Sequence, residues 1–411
     1  MVLAVILTLV VILILLYVWR PFKPPIIGIY RQRNGFYYLK YCVFFLFLST
    51  RQYLNKRKRA KAEVTPSVDG LIVTKEDELM DAPQKLQDHP QAIDAVYFNG
   101  SSSSGAALVC GVARRPKGVC NAFLYLRVKG GELLLTPKLP DTTLQQTTEE
   151  EGRYQVEGIN LYPLDPMRTW KLQYNGNMKL ESDPSETVKV ELDATFHTAY
   201  QHFNYDCDMS PSSMAKDVAR ETWTEEYFKT LQKLHQTHYE QHGIIKGTVK
   251  IDGTEHNIYV ESVRDHSFGK MRDWKNFHRY GLHFFALENG DRITVGKICL
   301  PVCFSSLSIG FLCKKSDNKL YPVDWCNLEL FRHGENLTPP LDYAFQFSAG
   351  GQLYTVQVDV KDSPTFFIGD EHESRVVERL CHFNVNGIKG WGAAEWQYRN
   401  MNRDIIGRYS T

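Results

Sequence analysis

Val188, Val190, Leu192, Ala194 and Phe196 alternate with Lys189, Glu191, Asp193, Thr195 and His197. This period of two sends one face of a strand into a core and the other to water. Leu341, Tyr343, Phe345 and Phe347 repeat the pattern against Asp342, Ala344, Gln346 and Ser348. After the turn Ser348-Ala349-Gly350-Gly351 it resumes, with Tyr354, Val356, Val358 and Val360 set against Thr355, Gln357, Asp359 and Lys361. The pair predicts a hairpin with one buried face, and Gly130-Gly131, Asn289-Gly290 and Asn386-Gly387 predict further hairpin turns. Pro211 to His242 reads differently. Thr222 and Glu225 match a capping box, Tyr227, Leu231 and Leu234 recur at helical spacing, and Gly243 suits the position after a helix end. A connecting helix is predicted there, with strand-rich sequence on both sides.

The N-terminus breaks from this pattern. Val2 to Trp19 carries no charge in eighteen residues, about 27 Å of helix against a bilayer core of about 30 Å. Tyr17 and Trp19 stand at the membrane interface, and Arg20, Lys23, Arg31 and Arg33 follow. A retained transmembrane helix with its C-terminal side in the cytosol is predicted. Phe36 to Leu48 is aromatic but short and holds Lys40, so it reads as an interfacial segment. Arg51, Lys56, Arg57, Lys58, Arg59 and Lys61 then form a basic cluster over residues 51–61 suited to anionic lipid headgroups.

Composition changes the picture little. Of 411 residues, 43% are hydrophobic and 23% charged, which excludes a disordered or collagen-like chain. Lys plus Arg (48) balances Asp plus Glu (47), so no nucleic-acid partner is expected. Nine cysteines are too few for a disulfide scaffold. Cys299, Cys303, Cys313 and Cys326 form no C-x-x-C pair and read as buried thiols. Asn99 to Gly105 lacks the ending of a phosphate loop, and no G-x-S-x-G or H-E-x-x-H occurs. No cofactor is expected.

The densest polar stretch is Arg264-Asp265-His266-Ser267-Phe268-Gly269, followed by Arg272-Asp273-Trp274. At a strand end it suits either an acid site on Asp265 with His266 beside it, or a capped turn with structural ion pairs from Arg264 and Arg272. His235, His238 and His242 fall on one face of the predicted helix. They extend its packing stripe, and no metal site is expected.

The stretch V-R-D-H-S-F-G (263–269) resembles the D-H-x-[WF]-G motif of a tandem lipocalin-like superfamily, with Phe268 in the place of Trp. That superfamily includes carotenoid hydratases of the hydroxyneurosporene synthase type, AttH-type proteins and yeast survival-factor proteins. Further segments are similar to the N-terminal region of animal phosphoenolpyruvate synthase-like proteins: D-A-V-Y-F-N-G (94–100), W-K-L-Q-Y-N-G (170–176), T-H-Y-E-Q-H-G (237–243), R-D-H-S-F-G-K-M-R-D-W (264–274), H-G-E-N-L-T-P-P (333–340) and G-W-G-A-A-E-W (390–396). The resemblance implies a mainly β chain of two tandem lipocalin-like antiparallel barrels, and it assigns the proton-donor role of the hydratases to Asp265. A phosphotransferase activity is not expected. The similarity of Tyr125–Lys138 to Phe284–Lys297 fits an internal duplication.

The expected organisation is a membrane anchor (1–19), a basic and aromatic membrane-proximal segment (20–62), a linker (63–90), a first lipocalin-like domain (91–210), connecting helices (211–243), a second lipocalin-like domain (244–400) and a tail (401–411). The leading functional expectation is a membrane-anchored binding protein that holds a lipid, isoprenoid or sterol in a lipocalin-like cavity. A hydratase or isomerase using Asp265, a non-catalytic membrane scaffold and a fragment of a phosphoenolpyruvate synthase-like protein are the alternatives. Arg264, Phe268, Gly269, Arg272, Asp273 and Trp274 complete the candidate site.

Overall fold

The computed structural model describes residue 8 and residues 23–62, 64–65, 71–369 and 371–400. Two closed antiparallel barrels of eight strands each dominate it. The first contains β1 (Ile93–Ser101), β2 (Ala107–Arg114), β3 (Val119–Arg127), β4 (Leu134–Leu135), β5 (Thr169–Leu180), β6 (Thr187–His197), β7 (Gln236–Ile251) and β8 (Thr254–Gly269). Each pairs with its predecessor, and β8 closes on β1. The second contains β9 (Arg279–Leu287), β10 (Arg292–Leu300), β11 (Phe304–Lys314), β12 (Lys319–Cys326), β13 (Asp342–Ala349), β14 (Gln352–Asp362), β15 (Ser374–Val385) and β16 (Ile388–Arg399). There β16 closes on β9. Both are up-and-down meanders, the lipocalin-like arrangement that leaves no free sheet edge.

Alternation builds these strands. On β6, Val190, Leu192, Ala194 and Phe196 are buried in the first barrel. The hairpin read from residues 341–361 forms as β13–β14, with Tyr343 opposite Val358 and Phe345 opposite Val356. Asp252-Gly253 and Asn386-Gly387 take positive φ at both positions, as a two-residue hairpin turn requires. Phe98, Trp170 and Phe196 pack the first interior, and Phe285, Phe345, Phe383 and Trp396 pack the second. Outer faces of the barrels meet, with Phe123 stacked on Phe366 at 4.2 Å and Phe203 on Phe311 at 4.5 Å between ring centroids.

Among the described residues, four α-helices attach to this pair: α1 (Tyr37–Arg59), α2 (Lys75–Asp81), α3 (Pro211–Val218) and α4 (Glu225–Lys233). α1 lies on α3, where the Tyr41 and Ser212 hydroxyls are 3.2 Å apart. α3 is tied to β11, since Asp217 Oδ2 accepts from the Ser308 N–H at 2.8 Å.

Several expectations need correction. The predicted helix ends by Lys233, and residues 236–242 begin β7. The strand was hidden because it is sandwiched between its own barrel and the second, so both faces are buried and alternation is lost. Gly243 is no helix cap: a Cβ there would lie 2.5 Å from His197 O and 2.6 Å from the Phe196 ring. The cap of α4 is Thr224, not Thr222, and it accepts from the Tyr227 N–H at 3.0 Å. With β7 and β8 in the first barrel, the boundary between barrels falls after Gly269, not at residue 243. Residues 63–90 are not only linker, because α2 carries Asp81 into the first barrel. Tyr125–Lys138 and Phe284–Lys297 occupy non-equivalent places, the third and fourth strands of one barrel and the first and second of the other. No helix among the described residues is long and apolar enough to cross a membrane. The expected anchor at 2–19 and the tail at 401–411 lie outside the described residues.

Candidate functional site

Residues of β8 divide by parity. Ile258 and Val260 point into the first barrel, and so do Arg264 and His266. Val263 and Asp265 point out, toward the second barrel.

The inward groups form a closed polar plug. Arg264 is ion-paired with Asp81, both without solvent exposure, and its guanidinium lies 5.1 Å from the Trp170 ring centroid and 5.3 Å from that of Tyr239. Asp81 also accepts from the Met167 N–H at 2.6 Å, Trp170 Nε1 at 3.0 Å and the Tyr239 hydroxyl at 2.6 Å. His266 Nε2 lies 2.7 Å from Asp94 Oδ1, and its Nδ1 lies 2.9 Å from the Tyr239 hydroxyl. Apart from Arg264 Nε, which has no hydrogen-bond partner, these groups satisfy each other inside the barrel, and neither Arg264 nor His266 lines the cavity between the barrels. His266 and Arg264 therefore hold the strand and are not placed to touch a ligand.

The outward side is open. A cavity of about 500 Å³ lies between the barrels, where the lipocalin-like expectation would put it inside one. Ala95, Ala113 and Phe123 line it from the first barrel, Leu282, Phe284, Leu307 and Ile309 from the second, and Phe44 and Phe47 from α1. His238, Asp265, Arg272 and Glu395 supply charged positions in this mainly apolar wall, along with Arg51, Arg115 and Asp206. An apolar pocket with a few convergent polar groups is the usual form of a small-molecule site.

His238 and Glu240 sit two apart on β7, and Asp265 stands opposite Glu240 on β8. All three share one face of the hairpin. His238 Nε2 is 2.7 Å from Asp265 Oδ2 and 3.5 Å from Glu240 Oε1. Burial pushes the Asp265 pKa up, but the charge and hydrogen bond of His238, with Arg272 and His266, outweigh it and hold the carboxyl below its ordinary range. Burial pushes His238 down, and Asp265 more than reverses this, so the imidazole titrates above its usual value. Beside His238, Asp265 thus favours its ionised form, which opposes the proton-donor role that the resemblance implies for it. Glu240, deeper in, is pushed up by burial to about 7.

A second carboxyl pair faces the same gap. Glu378 on β15 stands opposite Glu395 on β16. The Tyr97 hydroxyl donates to Glu378 Oε1 at 2.9 Å, and the Tyr280 hydroxyl donates to Glu395 Oε1. Burial first, and then the facing carboxylate, raises Glu378 well above the ordinary range. Burial also raises Glu395. Burial of two facing carboxyls disfavours ionising both, so the pair holds protons more tightly than free carboxyls do.

A family model matches residues 5–398. The chain belongs to DUF8627, a family of unknown function. No curated protein matches it. Similar solved structures include an AttH-like protein of Nitrosomonas europaea, at 12% identity over 78% of this chain and 99% of that one, TM-score 0.49. Kievitone hydratase of Nectria haematococca follows at 10% identity over 82% and 96%, TM-score 0.48. CghA with Sch210972 is similar at 9% identity over 76% and 90%, TM-score 0.43. At such distance none of them lends this chain an activity. The phosphoenolpyruvate synthase-like resemblance finds no support among them.

Of the remaining residues of the motif, Arg272 and Trp274 line the cavity. Phe268 packs inside, 5.1 Å from the His266 ring centroid. Gly269 pairs with Gln236 and Ile93 at the strand end, and Asp273 caps the following turn by accepting from the Lys275 N–H at 2.9 Å. Sequence reasoning missed Tyr97, Glu240, Tyr280, Glu378 and Glu395, and it placed His238 on a helix. The available signal was a lone acid within an apolar strand, as in Val376-Val377-Glu378 and Ala393-Ala394-Glu395-Trp396.

Proposed function

We propose that the protein binds one apolar small molecule, of the lipid, isoprenoid or sterol class, between its two barrels. The observation that carries this reading is the cavity of about 500 Å³, walled mainly by apolar and aromatic side chains. Mass spectrometry of small molecules released from the purified full chain tests it. A stoichiometric apolar compound supports the reading, and its loss in Ala113→Trp, which projects an indole into the cavity, assigns it to this site.

α1 supplies the route. Leu39, Val43, Leu46 and Leu54 are exposed along it, while Phe44 and Phe47 reach the cavity. Its last turn carries Lys56, Arg57, Lys58 and Arg59. An apolar stripe ending in cations suits a helix lying on an anionic bilayer. In this reading residues 2–19 anchor the chain, α1 rests on the cytosolic leaflet, and the ligand enters from lipid.

A second reading, proton transfer to or from that ligand, is favoured by Glu378 and Glu395. Glu395 lines the cavity, and burial raises the pKa of both carboxyls. Glu395, rather than Asp265, would then be the acid of a hydratase or isomerase.

A further inference from the structure

We infer that His238, Glu240 and Asp265 form a binding site for a divalent transition-metal ion, with Zn²⁺ the ion that best suits their donors. The nitrogen of His238 and one carboxylate oxygen each from Glu240 and Asp265 lie within 4.8 Å of one another. Residues two apart on one strand, with a cross-strand neighbour on the next, project onto one face and can converge on a point. Glu240 is the independent sign. It is 1% exposed, neither of its carboxylate oxygens accepts a hydrogen bond, and its ion-pair contact is the long one to His238 Nε2 at 3.5 Å. A buried carboxyl so weakly compensated is costly to ionise, and a cation among the three donors lowers that cost.

The remaining geometry agrees. The Tyr205 ring stacks on His238 at 4.5 Å between centroids and 17° between planes, which fixes the imidazole plane. One imidazole and two carboxylates are hard-to-borderline donors, suited to Zn²⁺ among available divalent ions. His238 and Asp265 both border the cavity, so a fourth position would open toward it, as in sites where zinc binds a water or a ligand. Binding displaces any proton on His238 Nε2 and on the Glu240 carboxyl, so affinity rises with pH. The site does not depend on an apolar ligand occupying the cavity.

Calorimetric titration of the full chain, first stripped with a chelator, uses ZnCl₂ as probe and MgCl₂ as comparison. One equivalent of Zn²⁺ should bind with micromolar affinity or better, raise the melting temperature and release protons, while Mg²⁺ binds far more weakly. Glu240→Gln should leave the metal-free melting temperature unchanged or higher, because it removes a buried carboxyl that accepts no hydrogen bond. It should weaken Zn²⁺ by at least ~100-fold, the upper end of the loss typical for outer-shell partners. His238→Gln should weaken Zn²⁺ equally. Absence of saturable Zn²⁺ binding, or binding that survives both substitutions, as at one of the free cysteines, would overturn the site.

Discussion

Arg264 and Asp265 are neighbours in the chain and serve opposite sides of one strand: Arg264 closes on Asp81 inside the first barrel, and Asp265 meets His238 at the cavity. The two ion pairs differ in depth. Arg264 and Asp81 have no exposure, whereas His238 and Asp265 are 26% and 23% exposed. Asp81→Asn leaves a buried guanidinium without its counter-charge and should cost about 3–5 kcal/mol. Asp265→Asn removes a partly solvated pair and should cost under about 1 kcal/mol. Urea denaturation of both variants checks this, and equal losses would show that Asp265 is structural too.

The carboxyl pair gives a pH dependence with a definite sign. Glu378 and Glu395 have folded-state pKa values above the ordinary one, so the folded chain holds their proton more tightly than the unfolded chain. Their stabilising contribution is fully present below the unfolded value of about 4.3 and is lost as pH rises through the raised folded values. Glu378→Gln should remove the Glu378 share of this component and leave that of Glu395, which its own burial raises. The urea midpoint of the wild type should fall more between about pH 5 and pH 8 than that of the variant. Parallel pH profiles would mean that the folded chain does not hold a proton on Glu378 more tightly.

How much of this was legible in the sequence follows from burial. β6 and the β13–β14 hairpin have one wet face, and their alternation names them directly. β7 has none over His238 to His242, and its polar residues at both faces resemble a helical stripe. Asp265 was found because it sits in a dense polar motif, yet nothing local distinguishes it from His266, since the strand's hand over the cavity depends on which barrel β8 joins. Glu378 and Glu395 come together only through barrel closure, and each meets a tyrosine from elsewhere: Tyr97 is on the first barrel and Tyr280 on β9. Local pattern carries no information about such pairs.

Membrane attachment has its own test. Full-length chain in microsomes should resist extraction by alkaline carbonate, because residues 2–19 are apolar enough to span. Protease added to the sealed vesicles should digest both barrels. Extraction by carbonate would remove the anchor, and protected barrels would put them on the luminal side.

The most direct measurement is titration of the purified full chain with a fluorescent polyene fatty acid, alongside Ala113→Trp and the surface control Leu341→Trp. Ala113 lines the inter-barrel cavity, and Leu341 is 71% exposed. Saturable binding of one equivalent is expected in the wild type and in Leu341→Trp, with a loss of at least about tenfold in Ala113→Trp, the effect of about 1.4 kcal/mol. No saturable binding, or equal binding by all three chains, would contradict a ligand site between the barrels.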